Sequence, residues 1–239
     1  MTLRVLIADD EPLAVERLQA LLADVEGVAF VGAARDGAEA AAMIEDLRPD
    51  LALLDIRMPR QSGMALARSL AGGDTEVAFV TAFDHFAAEA FEVDALDYLL
   101  KPVERSRLEA TLRRAERRRG GRTPGPPPAD ASRSAAFWAP GRHGLVRVPA
   151  DSVDWIEAAR DYVLLHTAAR SYILRATMDG VQSQLDPALA VRISRSAIVR
   201  RDAVAEVVRQ GRNGLLVVLK DGVALKVGAT YAPRVRTWL

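Results

Sequence analysis

The chain has 239 residues, half of them apolar, and a formal net charge of zero. At roughly 100 to 200 residues per domain, two domains are the default. It has no cysteine, which excludes disulfides and thiolate metal sites, and its three histidines, His85, His143 and His166, are too scattered for a histidine-based zinc site. No apolar run approaches the ~20 residues of a membrane helix, and the start lacks the basic segment and apolar core of a signal peptide, so a cytoplasmic protein without membrane contact is expected.

Taken in chain order, the first apolar run, Arg4 to Ala8, reads as a strand and ends on Asp9-Asp10-Glu11-Pro12. A helical pattern follows with Leu13, Leu18, Leu21 and Leu22. Either aspartate could cap that helix, with Pro12 in its first turn. The next run, Leu51 to Leu54, has the continuous apolar character of a buried parallel strand and ends on Asp55, followed by Ile56-Arg57-Met58-Pro59. A third, Glu76 to Val80, ends on Thr81, and a fourth, Tyr98 to Leu100, ends on Lys101-Pro102. Only three of the 32 basic residues are lysine, and Lys101 is the first of these. In so arginine-rich a chain, a lone lysine there suggests a compact point charge where a guanidinium fork would not serve.

Open α/β sheets place their chemistry at the C-terminal ends of the strands. Placed on one sheet, Asp9, Asp10 and Asp55 form a carboxylate cluster that cannot stay ionised and close together without a cation. Hard oxygen ligands in that number favour Mg²⁺. Asp55 can then act as a carboxylate nucleophile on phosphorus, with Lys101 and the metal offsetting phosphoryl charge and Thr81 offering a hydroxyl. One unit charge pair at ~4 Å is worth roughly 4 kcal/mol before desolvation at an effective dielectric of about 20.

These residues, together with Ser62-Gly63 and Asp97 to Pro102, resemble the receiver domain of two-component response regulators over residues 1–119. The resemblance implies a doubly wound, five-stranded parallel sheet and a phosphoryl group passed to Asp55 from the phosphohistidine of a sensor kinase. It implies that Asp10, Asp55 and the backbone carbonyl of Arg57 bind Mg²⁺ directly, with Asp9 acting through a bound water. Thr81 and Tyr98 fall on the family's switch pair. Arg57 and Phe83 stand where bulk crowds the attacking water, from which slow autodephosphorylation is expected. No enzymatic activity beyond that and slow autophosphorylation from small donors is expected.

A helical pattern through Leu108, Leu112 and Ala115 then runs into Arg117-Arg118-Arg119-Gly120-Gly121 and a proline run ending at Pro128, which reads as a linker over 120–135. The zero net charge conceals an asymmetry. Residues 1–112 carry 10 basic and 21 acidic side chains, whereas residues 134–239 carry 15 and 9. An acidic half joined to a basic one suits a regulator with a polyanion-binding output.

Past the linker the pattern changes to short strands: Leu145 to Val148, Val153 to Glu157, Tyr162 to His166, Tyr172 to Arg175, Val191 to Ile193, Val204 to Val208, Leu215 to Leu219 and Ala224 to Val227. A short helix is expected over Met178 to Leu185, and Asp221-Gly222 marks a hairpin turn. A mostly β domain over 136–239 results. Trp155 to Ala158, Asp161-Tyr162-Val163, Leu185-Asp186-Pro187 and Val191 to Val199 are similar to the LytTR-type DNA-binding domain, so the whole resembles response regulators of the LytR/AlgR type. That resemblance implies double-stranded DNA bound by loops at direct repeats, with Arg160, Asp161, Tyr162, Ser194, Arg195 and Thr230 on the DNA side. Arg195 could read guanine, Arg160 base or phosphate, and Arg200 and Arg201 are candidates for phosphate. The family usually has His at position 194, and often Asn at 200 and Arg at 229, where this chain has Ser194, Arg200 and Ala229. Homodimerisation on phosphorylation is expected. A haloacid-dehalogenase-type phosphohydrolase is disfavoured by Arg57, where that family has a second Asp. A dinucleotide fold is disfavoured by the lack of a Gly-rich turn after the first strand. An output domain that binds protein instead of DNA is the remaining alternative.

Overall fold

The computed structural model describes residues 2–82, 95–120, 135–141, 144–211 and 214–238. Phe83, expected to crowd the attacking water, and residues 121–134, which hold the proline run of the expected linker, lie outside the described residues. The chain divides into two compact units.

In the first unit, β1 (Leu3–Ala8), β2 (Val28–Ala34), β3 (Leu51–Leu54), β4 (Glu76–Thr81) and β5 (Asp97–Leu100) form one sheet in the order β2-β1-β3-β4-β5, with every pair parallel. This is the doubly wound sheet expected. Side chains alternate across a strand, so Leu3, Val5 and Ile7 of β1 and Leu51 and Leu53 of β3 share a face. There they pack with Leu18 and Leu22 of α1 (Pro12–Ala23) and Leu108, Leu112 and Ala115 of α4 (Arg105–Arg119). Leu6, Leu54, Phe79 and Tyr98 are buried toward the other face, to which right-handed crossovers bring α2 (Gly37–Leu47) and α3 (Gly63–Leu70).

Helix starts are set locally. The Asp36 carboxylate accepts the N–H groups of Ala38 and Glu39 at 3.0 Å, and Ser62 Oγ accepts that of Ala65 at 3.2 Å. For α1 the N-cap is Glu11, without a side-chain cap bond, and Pro12 opens the helix. Asp9 and Asp10 therefore do not cap it; Asp9 Oδ1 instead accepts the Glu11 N–H at 3.0 Å. Leu13, expected with the apolar stripe, is 79 % exposed, because at 3.6 residues per turn it lies opposite Leu22. A buried cluster ties β5 to α4: the Asp97 carboxylate faces Arg114 at 2.6 Å, Thr111 Oγ1 at 2.8 Å and Arg107 at 3.4 Å.

In the second unit, β6 (Ala136–Gly141) pairs with β7 (Gly144–Pro149). An antiparallel five-stranded sheet runs β10 (Ser171–Leu174), β9 (Tyr162–Thr167), β8 (Val153–Ala159), β12 (Ala197–Arg200), β11 (Ala190–Arg192). A three-stranded sheet holds β13 (Val204–Gln210), β14 (Gly214–Leu219) and β15 (Ala224–Lys226). Two short helices, α5 (Met178–Gln182) and α6 (Ala232–Arg236), complete it. Phe137, Ile156, Val163, Leu165, Met178, Val181 and Ile198 form its core. The helix expected to reach Leu185 ends at Gln182, where three-residue turn bonds from Gln184 to Val181 and from Leu185 to Gln182 tighten the chain. Asp221-Gly222 does turn the chain: Gly222 has φ +84°, and Asp221 Oδ1 accepts the Val223 N–H at 3.1 Å. His166 is fully buried, with Nδ1 2.6 Å from Ser171 Oγ and Nε2 3.2 Å from Glu157 Oε2, and it stacks on Trp155. It ties three strands together.

Candidate functional site

The order of the first sheet reverses between β1 and β3, and open α/β sheets bind ligands in the crevice beyond the strand ends at such a point. Asp9 and Asp10 follow β1 there, Asp55 follows β3, Thr81 ends β4 and Lys101 follows β5. Backbone bonds keep the ends level: the Asp55 N–H donates to the Ala8 carbonyl at 2.8 Å, and the Lys101 N–H to that of Thr81 at 2.9 Å. Carboxylate oxygens of Asp9, Asp10 and Asp55 all lie within 4.8 Å of one another. Lys101 Nζ stands 2.8 Å from Asp9 Oδ2, 3.5 Å from Glu11 Oε2 and 3.9 Å from Asp55 Oδ1. The part played by Glu11 was not legible in sequence, where it passed as one more acid before a helix.

Burial pushes the Asp55 carboxyl above its ordinary range, with Asp9 adding like-charge repulsion against the pull of Lys101 and the Thr81 hydroxyl. Asp9 is raised for the same first reason, opposed by its bond to Lys101. Burial also works against the Lys101 ammonium, but Asp9 and Asp55 outweigh it and hold the lysine above its usual value. Asp55 Oδ2 accepts the Arg57 N–H at 3.1 Å, whereas Oδ1 is buried and, among the described residues, accepts no hydrogen bond, with Lys101 Nζ 3.9 Å away. Leaving a buried acceptor so costs on the order of 1–3 kcal/mol. An all-oxygen donor set with such an atom fits a hard divalent cation. The expected consequence is that Asp55→Asn raises the melting temperature of the protein in EDTA by the equivalent of about 1 kcal/mol. A thermal melt in which the variant is less stable than the parent would show that the buried charge carries no such cost.

Tyr98 is fully buried, its ring centroid 6.4 Å from that of Phe79, and Thr81 is fully buried beside it on the sheet. In this conformation the aromatic ring is already inside. Two glycines fix the loop after Asp55: a Cβ on Gly63 would come within 2.0 Å of the Asp55 carbonyl oxygen, and one on Gly37 within 2.0 Å of that of Gln61.

In the second unit the sequence-selected residues fall on three connected loops. Arg160 and Asp161 are the two-residue turn between β8 and β9, where Ala159 partners Tyr162. Arg160 is exposed and held at φ 48°, a left-handed conformation that costs a non-glycine residue roughly 1–2 kcal/mol. Ser194 and Arg195 lie between β11 and β12, and Thr230 precedes α6. The Ala158 N–H donates to the Ser196 carbonyl at 2.9 Å, and the Gly228 N–H to that of Ile193 at 2.8 Å, so the three loops are bonded side by side. Ser194 Oγ accepts the Ser196 N–H at 3.2 Å, closing its own loop. Arg200 does not join them. It ends β12 on the far side from the loop, with Nη2 2.9 Å from Asp154 and Nε 2.8 Å from Asp202. Arg201 stacks its guanidinium over the Trp238 ring at 5.5 Å. Reading the sequence passed over Arg192, whose contacts run through this region.

No helix among the described residues is long and apolar enough to cross a membrane. Residues 5–113 match the family model of the response regulator receiver domain, and residues 143–239 match that of the LytTr DNA-binding domain. The chain is 34 % identical to the positive alginate biosynthesis regulatory protein of Pseudomonas aeruginosa over 98 % of both chains. It is 29 % identical to the sensory transduction protein LytT of Enterococcus faecalis over 96 % of both. With the transcriptional regulatory protein BtsR of Salmonella typhi it shares 46 % identity over 49 % of each chain. Full-length similarity, both family models and the carboxylate crevice agree: the chain belongs to the response regulators that join a receiver domain to a LytTR DNA-binding domain.

Proposed function

We propose that the chain is a phosphorylation-controlled transcription regulator with a receiver over 1–119, a linker over 120–135 and a DNA-binding output domain over 136–239. The observation that carries this is the buried Asp55 carboxylate, whose Oδ1 accepts no hydrogen bond among the described residues, set among two further carboxylates and Lys101. An Asp55 oxygen forms the new P–O bond as the P–N bond of a sensor kinase's phosphohistidine breaks. Lys101 draws charge from the phosphoryl oxygens, and the Thr81 hydroxyl donates to one of them. Asp10, Asp55 and the Arg57 carbonyl would hold Mg²⁺, with Asp9 acting through a bound water. When bound, that ion neutralises charge shared by the carboxylates and the phosphoryl group.

The phosphoryl group adds about −1.5 to −2 charges, and the pair Thr81 and Tyr98 converts this into a preferred conformer of the surface around β5 and α4. Receivers in that conformer pair as a homodimer, and two output domains then meet repeated half-sites at high effective concentration. On each half-site Arg195 reads guanine, Arg160 contacts base or phosphate, and Asp161, Tyr162, Ser194 and Thr230 line the approach. Arg57 and Phe83 slow hydrolysis of the phosphorylated state. The setting is the cytoplasm, and there is no catalytic turnover beyond self-phosphorylation and self-dephosphorylation.

Recovery of genomic fragments by the purified protein at physiological salt, with and without acetyl phosphate and Mg²⁺, tests the reading. Enrichment of a repeated motif that grows with the phosphodonor, and does not grow for Asp55→Asn, supports it. Enrichment independent of the donor would remove the switch. No enrichment would turn the output domain into a protein-binding module.

A further inference from the structure

Arg192, the last residue of β11, gathers contacts from three directions. Its Nε donates to the Ser194 carbonyl at 3.1 Å and Nη2 to the Arg195 carbonyl at 3.0 Å. Nη1 pairs with the Asp179 carboxylate of α5 and donates to Gln182 Oε1 at 3.4 Å. The guanidinium carbon lies 6.0 Å from the ring centre of Tyr231, the residue after Thr230. Its side chain is only 15 % exposed. Four of its hydrogen bonds thus stay within the protein, two of them on successive carbonyls of the loop that presents Arg195.

We propose that Arg192 is a positioning residue for sequence reading: it fixes the backbone path of the Ser194–Arg195 loop before DNA arrives, so that it sets specificity and not general affinity for duplex. The inference rests on the DNA-reading assignment of that loop made above. Bidentate readout of a base edge needs the reading guanidinium held to a narrow position and angle. A loop of a few residues that crosses between antiparallel strands has its own turn bonds to hold it, here the Ser196 N–H on Ser194 Oγ. Arg192 adds an anchor from outside the loop, and ties it to the start of α6 through Tyr231 and to α5 through Asp179. Lysine keeps the charge but, as a point donor on a flexible stem, cannot bridge two carbonyls in one plane. Arg192→Lys therefore separates the fork from the charge.

The test uses full-length protein and two duplexes, one carrying the motif recovered from genomic fragments and one with that motif scrambled, in fluorescence anisotropy across a range of salt. Arg192→Lys is expected to bind the motif about tenfold more weakly, with affinity for the scrambled duplex and the salt slope unchanged. Asp179→Asn, at a carboxylate 85 % exposed, is expected to shift the same ratio in the same direction by less. Should Arg192→Lys fail to fold, Asp179→Asn decides. Equal loss on both duplexes with a salt slope shallower by about one would make Arg192 itself a phosphate contact and overturn the inference. An unchanged ratio would overturn it as well. A parent protein that does not distinguish the duplexes would instead remove the DNA-reading assignment, and the inference with it.

Discussion

Lys101→Ala will slow uptake of the phosphoryl group from acetyl phosphate by roughly 10²–10³-fold, the usual cost of removing one preorganised group aimed at developing charge. The lysine reaches between two acids, 2.8 Å from Asp9 and 3.9 Å from Asp55, and their pull holds it protonated despite burial. Its charge is therefore already in place when the phosphoryl group arrives, and no reorganisation is needed at that moment. Lys101→Arg should not restore the rate, because a planar fork is larger and presents its donors in a different geometry. The measurement is the initial rate of radiolabel incorporation at saturating Mg²⁺, with melting curves to show that each variant folds. A rate within tenfold of the parent for Lys101→Ala would place the charge-neutralising role elsewhere.

Asp97→Ala will destabilise the receiver by about 3–5 kcal/mol, the range for removing one partner of a buried ion pair. Arg114 is almost wholly buried and meets Asp97 at 2.6 Å, with Arg107 and Thr111 on the same carboxylate. Without that carboxylate, two guanidinium groups remain in the interior beside each other. Thr111→Val, which removes one neutral donor from the cluster, should cost only about 1 kcal/mol. Urea denaturation followed by circular dichroism checks both. If Asp97→Ala and Thr111→Val proved equally mild, the cluster would be held mainly by the packing of α4 on the sheet.

The strand ends were legible because each combines two local signals, an apolar run and a polar residue that breaks it: Asp9 after Ala8, Asp55 after Leu54, Lys101 after Leu100. Lys101 stood out further through the scarcity of lysine. What escaped depends on neighbours distant in sequence. β2 carries three alanines and a glycine in seven residues and lies half exposed at the sheet edge, so its run lacks the bulky leucines that mark β3. Arg114 sits in a helix with six other arginines, and only the fold says which of them turns inward. Arg192 and Arg200 look alike in sequence, both ending short strands. Yet one holds the loop carbonyls and the other faces Asp154 and Asp202.

Gly37 and Gly63 clamp the loop after the phosphoacceptor from two sides, each with a carbonyl oxygen where its own Cβ would be. Neither carries a functional group, yet no side chain fits at either without displacing backbone within a few residues of Asp55. In a saturation-mutagenesis screen for lost signalling, these two positions will therefore score alongside the carboxylates. A tolerance map of this protein would record steric clearance as sharply as it records chemistry.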